Sequence, residues 1–152
     1  MLNDEKVVGV ITNTALRAGF MGARTRTHCL VITDRRILFA RQTTASMKAL
    51  NEKANPGKSL LAQMGAAGQT YALLIQGYLA MSPEAILAEH PDNFAIERAA
   101  VSKVKIKTSS GGESGVATDT LLIKTSDKTY KLTLMSAGQA RRVLQDAGLL
   151  PV

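Results

Sequence analysis

The chain predicts an α+β fold: a seven-stranded antiparallel barrel or sandwich, capped by a C-terminal helix and carrying an inserted helical segment. Three observations lead there. Runs rich in β-branched residues cluster at the two ends of the chain. Two pairs of these runs meet at short polar turns, Asp34-Arg35 and Ser126-Asp127. A helical period occupies the middle and returns just before Gly148 and Pro151. With 152 residues, 45% of them hydrophobic, there is material for one domain with a sizeable core. That domain is expected to have its β-rich core over about 5–43 and 93–147, with the insertion over about 44–91.

Residues 5–13 (EKVVGVITN) form the first strand, and 15–23 follow as a loop marked by Gly19 and Gly22. Residues 24–33 (RTRTHCLVIT) are the second strand, polar at its start and apolar at its end. At the Asp34-Arg35 turn the Asp can bond backbone two residues on, which suits a tight reversal. The returning strand, 36–42, places Ile37 and Phe39 on one face and Leu38 and Ala40 on the other. A strand apolar on both faces belongs inside a packed sandwich or barrel.

The period then changes. Residues 44–54 open a helix capped by Thr44 or Ser46, and Asn55-Pro56-Gly57 breaks it. From Leu60 the apolar positions Leu60, Met64, Ala67, Tyr71, Leu74 and Tyr78 follow a 3.6 period. Ser82-Pro83-Glu84 starts another helix, with a Ser cap, Pro at the first turn and an acid near the positive end of the dipole. It stops at Pro91. Strands resume at 94–97 and at 101–108, where Val104 and Ile106 alternate with Lys103, Lys105 and Lys107. A loop at 109–115 leads to a hairpin of 116–125 and 128–135, the latter with Tyr130, Leu132 and Leu134 on one face. Ser136 caps the last helix, with Gln139 at the capping-box position. Ala140, Val143, Leu144 and Ala147 line one side of it, and Gly148 ends it.

Lys and Arg number 19 against 12 Asp and Glu, a formal charge of +7 that favours anionic partners. A lone Cys29 excludes an intramolecular disulfide framework and suits a reducing compartment. The start, MLNDEK, lacks the basic-then-apolar pattern of a signal peptide, so a cytoplasmic location, peripheral at a membrane if it meets one, is expected. Residues 59–83 carry no charge and are long enough to span a bilayer. Their Leu and Ile residues, at about 0.3–0.6 kcal/mol each, favour insertion by only roughly 3 kcal/mol. Gln63, Gln69 and Gln76 oppose it, so the segment reads as buried or interfacial.

The order of seven strands and a final helix resembles the pleckstrin-homology-like fold, in particular bacterial PH and GRAM-type domains. LVITDRRILF (30–39) looks like their apolar–Thr–Asp–x–Arg–apolar hairpin, and FAIERAAVSKVKI (94–106) is similar to the strand–turn–strand that follows. The resemblance implies a non-catalytic module that binds lipid headgroups, peptides or other proteins. Phosphoinositide-binding members carry a basic residue, a spacer and then basic-x-basic in the first hairpin loop. Arg24-Thr25-Arg26 matches the second half and Arg17 supplies the first, while Asn13 and Thr14 stand where the family has a Lys.

Other chemistry fares poorly. NPGKS (55–59) ends like a phosphate loop, but Glu52 stands where the leading Gly belongs. His28, Cys29 and His90 lack metal-ligand spacing, and no base and orienter accompany a nucleophile. Neither metal nor cofactor is expected, nor enzymatic activity. The candidate anion or lipid site is therefore Arg17, Arg24, Arg26, Lys103, Lys105 and Lys107. Arginine suits phosphate because its guanidinium bonds it bidentately, whereas edge lysines also keep a strand soluble. The expected partner is an anionic membrane surface or another protein. Weak nucleic-acid binding through the basic face is a further alternative, disfavoured because only Phe20 in the first loop is a candidate to stack a base. Homo-oligomerisation through Leu60, Met64, Tyr71, Leu74 and Tyr78 is the competing role, against packing of the same stripe on the chain's own sheet.

Overall fold

The structure, a computed structural model, describes residues 5–18, 24–43, 67–109, 118–135 and 137–151. Seven antiparallel strands make one sheet in the order β4-β3-β2-β1-β7-β6-β5. They are β1 (Val7–Ala18), β2 (Arg24–Thr33), β3 (Arg36–Arg41), β4 (Phe94–Glu97), β5 (Val101–Ser109), β6 (Thr118–Thr125) and β7 (Thr129–Leu134). The described helices are α1 (Ala67–Ala80), α2 (Pro83–Ala88) and α3 (Ala137–Asp146). The sequence-based helix at 44–54 and the Ser136 cap lie outside the described residues.

β1 is where the sheet turns from one half to the other, and its sequence shows how. Ile11 pairs with Leu30 but Thr14 pairs with His28, so β1 carries one residue more than β2 across this interval. Asn13 takes up the bulge with φ 61°, a left-handed conformation that Asn tolerates better than most residues. Its N–H donates to Gln42 Oε1 at 3.1 Å, off the ladder. Immediately beyond, Thr14, Ala15 and Leu16 pair with Leu134, Thr133 and Leu132 of β7. The expected loop at 15–23 thus begins as strand: pairing on both edges, with Leu16 buried between them, outweighs the weak β-propensity of ALRA.

The two halves face each other over one core. Leu30, Ile32, Ile37 and Phe39 come from the first half, Leu121, Ile123, Leu132 and Leu134 from the second, and Ala140 and Leu144 from α3. Phe39 and Phe94 stack with ring centroids 4.4 Å apart, and Tyr130 of β7 lies 5.3 Å from Phe39, bridging the halves. The barrel expected from sequence is not closed. β4 and β5 are both edges of the sheet, joined by a 3-10 turn at Arg98–Ala100 instead of a ladder. Arg98 fastens that turn: its Nη1 donates to Thr33 O (3.1 Å) and its Nη2 to Ala147 O (2.6 Å), beside the negative end of α3. Gly148 ends the helix with φ 78°.

β2 and β3 are apolar on both faces because both are covered. Val10, Cys29, Val31, Leu38 and Ala40 point away from the main core into a second one, completed by Tyr78 of α1 and Ile86 of α2. Leu74 and Ile75 join it from α1. At α2 the Ser82 hydroxyl accepts from Ala85 N at 3.2 Å, as the Ser-Pro-Glu signal implies. Asn93 then clamps the insertion to the sheet, donating to Ile86 O (2.8 Å) and accepting from Arg41 N (2.7 Å).

Candidate functional site

Alternation decides which side chains share a face, and the ladder fixes it. In β5, Val104 and Ile106 point to the core while Lys103, Lys105 and Lys107 are exposed. Across the ladder Lys103 stands opposite Lys124, and Lys105 stands opposite Leu122, which in turn faces Lys131 on β7. Five exposed lysines therefore project from the outer face of β5, β6 and β7. Lys107, Thr120 and Thr133 make the next row. On β1 the bulge at Asn13 inverts the alternation, so that Thr14 and Leu16 turn inward and Arg17 falls on the outer side with Ala15, one residue past the last β1–β7 pair, Leu16 with Leu132. Unbroken alternation from Ile11 would have put Arg17 inside.

The six cations reinforce one another. Alternate residues on a strand are about 7 Å apart and neighbouring strands about 5 Å, both inside a Debye length of about 8 Å at physiological salt. Lys103 opposite Lys124 is a like-charge pair, which weakens a sheet. Among the described residues no carboxylate lies within ion-pair distance of any of the six. Edge protection accounts for β5, but not for Lys124 and Lys131 on the interior strands β6 and β7. Those two were legible in TLLIKT and TYKLTL once the strands are known to be neighbours.

The other sequence candidates lie elsewhere. Arg26 pairs with Leu16, on the opposite side from Arg17, and its Nη1 donates to Asp92 Oδ2 at 3.0 Å. Arg24 stands opposite Ala18, and its side chain is outside the described residues. The expected arginine cluster thus separates Arg17 from Arg26. Of the proposed association stripe, Leu74 and Tyr78 face the chain's own sheet, Tyr78 being only 6% exposed. Leu60, Met64 and the Tyr71 side chain are outside the described residues. The Thr-Asp-x-Arg hairpin is a folding device. Thr33 Oγ1 accepts from Arg36 N at 2.7 Å, and Asp34 Oδ1 accepts from Lys6 N at 3.1 Å. Arg36 grips the buried Glu5 through two bonds of 2.9 and 2.7 Å.

A second feature is a cavity of about 280 Å³ between the end of β3 and α1. Arg41, Gln42, Glu89 and His90 supply its polar groups, and Leu73, Leu74, Gly77, Tyr78 and Met81 its apolar wall. Burial raises the Glu89 carboxyl above its ordinary range, opposed by a hydrogen bond from the Tyr78 hydroxyl. Burial also pushes the neighbouring Cys29 thiol up to about 12, so it stays protonated and unreactive. Among the described residues no cluster of three or more His, Cys, Asp or Glu could hold a metal, and no helix is long and apolar enough to cross a membrane. Comparison with known families, characterised proteins and solved structures finds no match to this chain.

Proposed function

We propose that the protein is a non-catalytic, PH-like binding module that docks on an anionic membrane surface through the outer face of β5, β6 and β7. The observation that carries the reading is the set Lys103, Lys105, Lys107, Lys124 and Lys131, extended by Arg17, on one side of one sheet and, among the described residues, without an ion-pair partner. At about 1 kcal/mol per cation near an anionic leaflet, the set contributes roughly 6 kcal/mol, a reversible and salt-sensitive association. Leu122 lies among the lysines, and Met135, just after β7, is 76% exposed. Both favour a lipid interface. Single-stranded nucleic acid would need aromatic stacking platforms, and the outward positions of these strands offer Thr, Leu and Lys.

The test is co-sedimentation with phosphatidylcholine vesicles, with and without phosphatidylserine. Binding is expected only with the anionic lipid and is expected to fall as salt rises. Replacing Lys105 and Lys131 by Gln removes about 2 kcal/mol, a loss of roughly thirtyfold. Arg26→Ala, which breaks only the Asp92 pair, is expected to leave binding unchanged. Equal binding to neutral vesicles, no binding to either, or preference for DNA over the vesicles overturns the proposal.

A further inference from the structure

The cavity beside α1 has features that neither the fold nor the basic face requires. Among the described residues the Arg41 guanidinium is under-satisfied: its buried Nε has no hydrogen-bond partner and its Nη1 makes only a long bond of 3.5 Å to Thr27 O. Glu89 lines the same cavity, yet the two opposite charges are not within ion-pair distance of each other. Across from them is an apolar wall. His90 Nδ1 accepts from Asp92 N at 3.0 Å, which places the proton of the neutral ring on Nε2. Gly77 sits inside α1, where glycine costs about 1 kcal/mol relative to Ala. Among the described residues no packing demands it: a Cβ built there meets nothing within 4 Å. What glycine preserves at this position is room.

We propose that the cavity binds a small zwitterion with an apolar side chain, of the size and chemistry of an apolar amino acid. Its carboxylate sits on Arg41, its ammonium faces Glu89, and its side chain lies along Leu73, Leu74 and Met81. A ligand of this kind joins two opposite charges that line one cavity without being within ion-pair distance of each other. The volume, about 280 Å³, is at the lower limit of small-molecule sites, which run from about 300 to 1,000 Å³, and so suits a ligand smaller than a nucleotide. The proposal is independent of membrane docking, because none of its residues lies on the basic face.

The test is isothermal titration of the full chain with L-leucine, with 4-methylpentanoate (no ammonium) and with isoamylamine (no carboxylate). Leucine is expected to bind and each half-ligand to bind at least tenfold more weakly. Arg41→Met is expected to weaken leucine at least tenfold. Gly77→Leu fills the space with a better helix former, so it is expected to abolish leucine binding while the melting temperature holds or rises. No binding of leucine, binding that survives Gly77→Leu in a folded protein, or a half-ligand that binds as well as leucine overturns the proposal.

Discussion

Glu5 carries a charge whose side chain is only 2% exposed, and its surroundings explain how that is tolerated. Arg36 engages both carboxylate oxygens and the Thr33 hydroxyl donates to Oε2 at 2.6 Å, so the charge is paired and bonded. Removing one partner strands the other, and Glu5→Ala is expected to cost about 3 kcal/mol in urea unfolding. Replacing Glu5 and Arg36 together by Leu is expected to recover at least half of that, since no buried charge is left alone. His28 is the complementary case, a buried imidazole that no carboxylate pairs with among the described residues. Burial holds its pKa below the ordinary 6.5, and Arg41 and Arg26 add to the effect against the bond to Arg26 O and the charge of Asp92. As pH falls through 6.5 the unfolded chain takes up a proton that the folded chain refuses. The contribution of His28 is therefore fully present above about 6.5 and is lost as pH falls below it. Stability measured on both sides of that pH is expected to decline on acidification by more in the native protein than in His28→Leu; equal slopes would contradict the assignment.

At the scale of elements, what was legible followed local chemistry. The Asp34-Arg35 and Ser126-Asp127 turns, the Ser82-Pro83 helix start and the Gly148 stop all stand where side-chain bonding and backbone sterics put them. What was not legible depended on partners distant in sequence. β1 passes its expected end at Asn13 because β7 supplies a second ladder, and that β7 lies there is written in no residue of β1. The same bulge moved Arg17 to the outer face, so the candidate site was legible only in part: its lysines on β5 from simple alternation, its arginine for the wrong neighbours. The approach of α3 to β1 is similarly hidden. A Cβ on Gly9 would lie 2.5 Å from Val143 Cγ1, and valine in a helix has almost no alternative rotamer. Gly9→Ala is expected to destabilise by about 1–3 kcal/mol, the usual range for overpacking. Adding Val143→Ala removes the clash, so the double variant is expected to be less destabilised than the two single losses summed.

At the scale of the whole molecule, the two β-rich ends enclose one core while the insertion covers the outside of the first half-sheet. That division decides what each face is available for. The outer face of β1, β2 and β3 is occupied by α1 and α2, whereas the outer face of β5, β6 and β7 is exposed at every lysine it bears. The sequence announced a basic protein with two-faced strands, but not which half would be covered, because the apolar stripe of the insertion fits any apolar sheet face. The most direct test of the account is amide NMR mapping of the protein against nanodiscs containing phosphatidylserine. Docking through the outer face of β5, β6 and β7 is expected to perturb and broaden the signals of Lys103, Lys105, Lys107, Lys124, Lys131 and Arg17. Perturbation centred instead on Arg26, α1 and α2, with the outer face of β5, β6 and β7 silent, would contradict it.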